Sequence, residues 1–329
     1  MPRWIMYTFP MVFDIIVGLT LFAGRHAFGE GGRGIGTVGG VWLIYGVGYT
    51  ISSMIMSRVV RPHRARPLML AAAALAVVLL VFLANAHDDA LILALFAGIP
   101  VATSLFFNSF QSFMLSVDQG GAKPFVRMIG HYTFAWSIGY ALGPAITVMA
   151  REMGSWSAVY YTAASITAVL FVVALRFKPR PVPADVSRPA PAPILPAEAV
   201  GTPSLCVPAW IGIVVGLCGW SMISTFWPVQ AEALHYSTRI KGAAEFAAAA
   251  MQALVGLSFA YLPVWHFRPS GTALFALGGI GGALLFASGG HPAIFIAGGA
   301  LFGVYSAAYF SLIPFHALLD PAKAVGAWP

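Results

Sequence analysis

Ten apolar stretches, each long enough to cross a bilayer, constrain the fold of this chain more than any motif in it. A helix of roughly 20 apolar residues spans the hydrocarbon core, and helices are the expected form because lipid leaves unpaired backbone groups without partners. The strands of a membrane barrel would instead alternate in polarity over about 10 residues, and these stretches do not alternate. They are 4–24, 35–57, 68–86, 90–117, 128–150, 155–175, 209–229, 243–261, 271–288 and 293–315.

The composition leads to the same fold class. Hydrophobic residues make up 59% of the 329 residues and charged residues only 9%, whereas soluble domains carry about 25% charged residues. The two cysteines, Cys206 and Cys218, indicate neither a disulfide framework nor a metal site. The sequence therefore predicts an all-α, polytopic membrane protein with about ten spans, without a metal or other cofactor.

A proline-rich segment divides the spans into six and four. Proline at this density favours an extended, semi-rigid linker over a helix. We therefore expect a six-helix bundle over residues 1–177, a cytoplasmic linker over 178–206 and a second bundle of four helices over 207–329. The prolines of the segment are Pro179, Pro181, Pro183, Pro189, Pro191, Pro193, Pro196 and Pro203.

The distribution of basic residues predicts the orientation. With the N-terminus in the cytoplasm, 13 of the 18 lysines and arginines lie inside, and no lysine or arginine lies deep in a span. This bias follows the positive-inside rule, so we read the basic charge as a topology signal and do not expect nucleic-acid binding. We expect the protein in a bacterial inner membrane. The five basic residues left outside are Arg25, Arg33, Arg151, Arg239 and Lys241.

The fifth span carries the pattern Gly130-x8-Gly139-x3-Gly143-Pro144. It resembles the fifth-helix motif of the major facilitator superfamily, often called the antiporter motif, in its first four fixed positions. The final glycine pair of that motif is replaced by Thr147 and Val148. Small residues four apart allow close helix packing, and proline removes a backbone donor and favours a bend. Tight packing and a role in gating are both open interpretations.

The loop after the second span resembles the other marker of the family only in part. The basic residues are present, beginning with Arg58, which we take as a gating or packing residue. Serines stand where the family has a glycine and an aspartate. That aspartate normally pairs with cations at the cytoplasmic gate.

The resemblance implies two pseudo-symmetric halves that bind substrate near the membrane midplane. Family members have twelve spans and this sequence has ten, so we expect either a chain shortened at its C-terminus or a ten-span variant. In the family, the first, fourth, seventh and tenth helices line the cavity.

One acid lies in the middle of a span. Asp14 is ten residues into the first helix, where an ionisable side chain costs about 2.5 to 3.5 kcal/mol on insertion scales. We expect it to face the cavity, as a site for proton coupling or for a cationic substrate. The alternative is a capped or paired structural acid.

The other candidate cavity residues lie on three of the helices that the resemblance places around the cavity. The fourth helix carries a polar stripe, the seventh adds an aromatic and a hydroxyl group, and the tenth adds two tyrosines. A polar stripe can also link helices, but such hydrogen bonds contribute little. These residues are Asn108, Gln111, Trp220, Ser224, Tyr305 and Tyr309.

Several other residues are given structural interpretations. Glu245 is expected to be an acid at a helix N-terminus, stabilised by the helix dipole, and His131 to lie at the membrane interface. Two glycine pairs are expected to form packing contacts between helices. They are Gly36 with Gly40 and Gly299 with Gly303.

The leading functional prediction is a secondary transporter working by alternating access on a small organic solute, with proton-coupled efflux as one mode. No nucleotide-binding loop supports ATP-driven transport. An anionic substrate would need a buried cation such as arginine, although helix N-termini could supply partial charge, so a neutral or cationic solute is favoured. The alternatives are an intramembrane enzyme or lipid-handling protein, a non-transporting remnant, and a transporter of two five-span repeats.

Overall fold

The computed structural model describes residues 3–31, 35–117, 122–176, 206–262, 269–288 and 290–318, and these form ten α-helices. The linker predicted over 178–206 lies outside the described residues except for Cys206. The helices are α1 Arg3–Glu30, α2 Ile35–Val59, α3 Ala65–Asn85, α4 Asp89–Val117, α5 Ala122–Met153, α6 Trp156–Arg176, α7 Cys206–Ala233, α8 Thr238–Tyr261, α9 Pro269–Ser288 and α10 Pro292–Leu318.

Every predicted span falls on one of these helices, so the predicted fold class is confirmed. Eight helices are long and apolar enough, within the described residues, to cross a membrane. The other two are α7, with 28 residues, and α9, whose described apolar part is Leu274–Ser288. The outward-facing residues of α6 and α9, such as Val169 and Leu284, are apolar and exposed, as a lipid-facing surface requires.

Polar residues at the turns determine where individual helices begin. The Asp88 carboxylate accepts a hydrogen bond from the backbone N–H of Leu91 at 2.9 Å in the first turn of α4. Ser237 caps α8 in the same way through the N–H of Ile240. Both caps satisfy backbone donors that a helix start leaves unpaired.

The helices pack as a group of six and a group of four. In the first group α1 packs against α5, α6 and α2, and α3 packs against α4 and α6. In the second group α10 packs against α7, α8 and α9. The two groups meet mainly along α5 and α8, with further contacts of α7 with α1 and α2.

Successive helices run in opposite directions, which gives the bundle two ends. We call the end where α1 begins the N-terminal face and the end where α1 stops the far face. At the N-terminal face the Arg66 guanidinium, in the first turn of α3, donates to the carbonyl of Leu175 near the end of α6 at 2.7 Å. At the far face Arg25 of α1 approaches the carbonyl of Ser224 in α7.

Candidate functional site

Asp14 lies buried in the middle of α1, with 5% of its surface exposed. Its carboxylate forms no hydrogen bond or ion pair with another described residue. Four tyrosines of the same helix group lie within electrostatic range of this carboxylate. They are Tyr45 and Tyr49 of α2 and Tyr132 and Tyr140 of α5.

Asn108 links α4 to α2. Its side-chain amide donates to the carbonyl of Ser104 at 2.8 Å and to the hydroxyl of Ser53 at 3.2 Å. The Ser53 and Ser104 hydroxyls are themselves 3.1 Å apart. Asn108 is only half-buried, so part of the side chain stays accessible while the amide holds two helices together.

Gln111 links α4 to α5 in a similar way. Its amide donates to the Tyr132 hydroxyl at 3.2 Å. The Tyr132 ring stacks on Phe110, with ring centroids 5.8 Å apart. Gln111 and Tyr132 are both half-buried. The polar stripe of α4 therefore supplies helix-to-helix hydrogen bonds and a partly open polar surface at once.

Trp220 of α7 meets aromatic residues of both helix groups. It makes an edge contact with Trp42 of α2 at 4.3 Å between ring centroids. On the other side Phe310 of α10 lies 6.5 Å from Trp220 and 5.0 Å from Trp136 of α5. Trp136, Trp220 and Phe310 are half-buried. Together they form an aromatic cluster between the two groups.

The two tyrosines of α10 lie beside this cluster. The Tyr305 hydroxyl donates to the carbonyl of Gly216 in α7 at 3.2 Å, and the side chain is half-buried. Tyr309 is buried and stacks on Phe310 at 4.1 Å. Its hydroxyl is buried without a hydrogen-bond partner in the described part of the chain.

A hydrogen-bonded side chain that sequence analysis missed joins α5, α8 and α10. The buried Gln252 amide donates to the Ser137 hydroxyl at 2.9 Å and accepts from the Ser306 hydroxyl at 2.7 Å. It is therefore a polar bridge between the two helix groups. A buried amide in an apolar helix is the signal that could have identified it, since such a group requires partners.

A buried ion pair connects α1 with α8, contrary to the expectation that Arg25 lies in an outer loop. Arg25 Nη2 is 2.7 Å from Glu245 Oε2, and only 3% and 7% of the two side chains is exposed. The correction arises because α1 continues to Glu30, beyond the predicted end of the first span at residue 24. Glu245 therefore balances a buried cation, a role beyond the helix N-terminal acid expected from its position in the sequence.

Lys241, also expected in an outer loop, is buried in the first turn of α8. Its ammonium pairs with the carboxylate of Glu232 in α7. Thus each of the two buried basic side chains in the described residues has a carboxylate partner. The predicted cavity residue Ser224 lies beside this region, with its carbonyl 3.5 Å from Arg25 Nη1.

The glycine motif of α5 packs directly against α1. A Cβ atom on Gly139 would clash with the carbonyl oxygen of Met11, and one on Gly143 would lie 2.5 Å from the backbone nitrogen of Leu19. Thr147, which replaces a motif glycine, donates to the carbonyl of Gly143 at 2.9 Å. Gly130 is buried near the other end of α5. The motif therefore provides close packing of two helices in the first group.

Pro144 lies where α5 crosses α8 of the other group. A Cβ atom on Gly242 of α8 would lie 3.6 Å from the carbonyl oxygen of Pro144 and in closer contact with Val148. The helix α5 continues through Pro144 to Met153. The proline therefore lies at the interface that relative movement of the groups would affect.

One of the two expected glycine contacts is wrong. A Cβ atom on Gly36 or Gly40 would meet no atom within 4 Å, whereas one on Gly39 would lie 3.0 Å from the Thr225 side chain of α7. The other pair is as expected, because Gly299 and Gly303 of α10 pack closely against backbone carbonyls of α8.

Two predicted residues lie at the N-terminal face. Arg58 is exposed at the end of α2. His131 of α5 shares a hydrogen bond of 2.7 Å with the Tyr261 hydroxyl at the end of α8. His131 is therefore also a contact between the two groups. Among the described residues no cluster of histidine, cysteine and acid side chains could hold a metal ion.

The sequence profile of the Major Facilitator Superfamily matches residues 125–327, more than half of the chain. The chain belongs to this superfamily. It is therefore a membrane transporter rather than an enzyme, with a small-molecule substrate and a lipid bilayer around it. No curated protein sequence matches this one.

Solved transporter structures share the fold of this member of the superfamily. The crystal structure of the nucleoside transporter NupG aligns with a TM-score of 0.70 and 13% identity, over 97% of this chain and 85% of NupG. A bacterial homolog of the human lysosomal transporter Spinster, in an inward-facing and occupied conformation, aligns with a TM-score of 0.61 and 11% identity. That alignment covers 96% of this chain and 77% of the homolog.

Proposed function

We propose that the protein is a secondary active transporter that moves a small neutral or cationic organic solute by alternating access, with protons coupled through Asp14. Proton-coupled efflux from a bacterium, across the inner membrane, is the mode that we propose. The observation that supports this proposal most directly is the position of Asp14. It is buried in the middle of α1 and has no hydrogen-bonding or ionic partner among the described residues.

The position of Asp14 supports a role in coupling because burial of an unpaired acid is costly. An ionisable group at the bilayer centre costs about 2.5 to 3.5 kcal/mol on insertion scales. A structural acid would offset this cost with a paired cation, as Glu245 does with Arg25. Asp14 has no such partner within the described residues, so binding and release of a proton or a cation is the role that suits it.

The two helix groups supply the moving parts that alternating access requires. We propose that residues 1–177 and 207–329 are the two halves and that segment 178–206 links them in the cytoplasm. Half-to-half contacts occur along α5 and α8 and between α7 and the first two helices. Gating would act through these contacts, and Pro144 and Arg58 are the gating candidates from the two sequence motifs.

The aromatic side chains between the halves and the amides of α4 support a neutral or cationic substrate. We propose that the aromatic cluster, through Trp220, and the neighbouring Tyr305 and Tyr309 bind the apolar or flat part of the solute. Asn108 and Gln111 would bind its polar groups. Aromatic faces attract cations. An anion would find no free buried cation among the described residues, because Arg25 and Lys241 are already paired with carboxylates.

A nucleoside is one member of this solute class. The solved structure of NupG is named for a nucleoside transporter, and a nucleoside combines a flat base with a neutral polar sugar. The aromatic cluster suits the base, and the amides of α4 suit the hydroxyl groups. Nucleosides therefore belong among the neutral solutes of a screen.

The test is uptake by purified protein in proteoliposomes under an imposed pH gradient. Neutral solutes including nucleosides, lipophilic cations and organophosphates would be compared. We expect saturable uptake of a neutral or cationic compound, and Trp220→Ala should raise its KM at least about fivefold if the ring contributes roughly 1 kcal/mol. Phe226→Ala removes an exposed aromatic ring of the same helix and should leave KM unchanged. Saturable uptake of an organophosphate alone would overturn the proposal.

A further inference from the structure

The ion pair of Arg25 and Glu245 joins the two halves through a buried contact. Besides its 2.7 Å contact with Glu245, Arg25 donates from Nε to the carbonyl of Leu21 at 3.0 Å. Its guanidinium carbon lies 5.0 Å from the centre of the Trp42 ring. One side chain of α1 therefore contacts α2 of its own half and α7 and α8 of the other half.

The neighbouring charged groups balance one another. Lys241 of α8 is paired with Glu232 of α7, both in the second half. His26 Nε2 lies 3.6 Å from Glu245 Oε1, and neither ring nitrogen has a hydrogen-bond partner among the described residues. Two cations face two carboxylates beside a buried imidazole. The pair of Arg25 and Glu245 crosses between the halves, and the contact of His26 with the same carboxylate crosses beside it.

The cluster lies toward the far face of the bundle. Arg25 is in the last two turns of α1, which stops at Glu30, and Glu245 is in the second turn of α8, which starts at Thr238. The helices α1 and α8 belong to different halves. If the halves separate at the far face, the two side chains must separate as well.

We propose that Arg25 and Glu245 form a lock that holds the far face closed and that breaks each time this face opens. The proposal rests on the proposed alternating-access function. A charge pair attracts strongly in a dry, low-dielectric contact and weakly in water. Water entering an opening far face would solvate both charges, so the lock is strong when closed and weak once it has opened.

The chain provides a matched ion pair for comparison. Arg239 of α8 and Glu152 of α5 also join the two halves near the far face, with Arg239 Nη2 3.0 Å from Glu152 Oε2. Their side chains are 75% and 43% exposed. Exposed pairs contribute little because water and salt screen them, whereas removal of one partner from a buried pair leaves an uncompensated charge.

The experiment measures the distance across the far face by pulsed electron spin resonance. Both native cysteines are replaced by serine, and spin labels are attached at His87→Cys and Ala293→Cys, exposed positions at the far ends of the two halves. Glu245→Gln and Arg25→Gln should each raise the ratio of long to short distances at least about tenfold. Glu152→Gln should change it less than about threefold, and the exchange Arg25→Glu with Glu245→Arg should restore the short distance.

The outcomes separate the lock from the transport function. An unchanged distance distribution in folded Glu245→Gln and Arg25→Gln proteins would overturn the lock, whatever the transport assay gives. An equal shift in Glu152→Gln would overturn the specific role of the buried pair. The exchange variant tests the same idea if the single variants do not fold. Because the distances require no substrate, a protein that transports nothing can still display the lock.

Discussion

At the scale of single residues, Asp14 differs from every other acid in the described helices by its depth and its lack of a partner. Glu30 lies at the far end of the same helix and is paired with Arg151 at 3.4 Å, with 28% of its side chain exposed. Glu245 is buried but paired. A site for a transported proton must be buried and must be able to gain and lose that proton. An acid paired permanently with a cation is held in its deprotonated form and exchanges its proton poorly.

We predict that Asp14→Asn abolishes accumulation driven by a pH gradient and leaves exchange of substrate across the membrane intact. An amide cannot carry a proton through the cycle, but it keeps the size of the side chain and its hydrogen-bonding capacity. The measurement compares gradient-driven uptake with counterflow in proteoliposomes, and Glu30→Gln serves as the matched control from α1. Gradient-driven uptake that survives in Asp14→Asn would remove Asp14 from the coupling mechanism.

Individual residues also show how much of this site could be predicted from the sequence. Asp14 was identifiable because one charge stands out in an apolar stretch. The pairing of Arg25 with Glu245 was not, because the partners are 220 positions apart and the first helix was expected to end one residue before Arg25. A contact between distant helices depends on how they pack, and hydropathy carries no information about that.

At the scale of helices, α1 and α5 are held together by glycines on one face. A Cβ atom on Gly143 would lie 2.7 Å from the backbone carbonyl carbon of Gly18, and one on Gly18 would lie 2.6 Å from the carbonyl oxygen of Tyr140. The two backbones therefore approach each other directly. Van der Waals contact of this kind drives helix association in lipid, where the hydrophobic effect contributes little between helices.

We predict that Gly139→Ala lowers the thermal unfolding midpoint of the purified protein and that Gly40→Ala does not. The methyl group at position 139 would overlap the carbonyl of Met11, so α1 and α5 would have to separate, whereas the same group at position 40 enters open space. Overpacking costs typically about 1 to 3 kcal/mol, and alanine in a helix interior is better than glycine by about 1 kcal/mol. Equal midpoints for the two variants would contradict the packing role.

The helices themselves were predictable, but their contacting faces were only partly so. Hydropathy located all ten helices because each must be apolar along its length. The spacing of small residues selected Gly139 and Gly143, which lie directly against the backbone of α1. It also selected Gly36 and Gly40, which face open space, while the neighbouring Gly39 faces Thr225. The spacing shows that a helix has a face of small residues. Which helix packs against that face depends on the arrangement of the whole bundle.

At the scale of the whole molecule, the described helices pack as a group of six and a group of four. Composition and the family motif were enough to predict the fold, because lipid permits few architectures. The charged contacts between the halves were not predicted. Charged residues near the ends of spans were counted only as a topology signal, and helices that continue past the predicted ends bring some of them into the interior.

The orientation prediction applies to the molecule as one unit, because the direction of α1 sets that of every following helix. We expect the N-terminal face in the cytoplasm. Thirteen of the 18 lysines and arginines belong to that side, and positive residues near the ends of spans resist translocation. Arg25 and Lys241, although buried, lie toward the far face, so moving them into helices does not alter the bias.

The measurement is labelling of single cysteines in intact cells with a maleimide that cannot cross the membrane, after both native cysteines are replaced by serine. A cysteine at Ala192, in the segment after the sixth span, should stay unlabelled until the membrane is permeabilised. A cysteine at His87, exposed in the turn between α3 and α4, should be labelled in intact cells. Labelling at Ala192 with protection at His87 would show that the orientation is the reverse of the predicted one. The face closed by Arg25 and Glu245 would then be cytoplasmic.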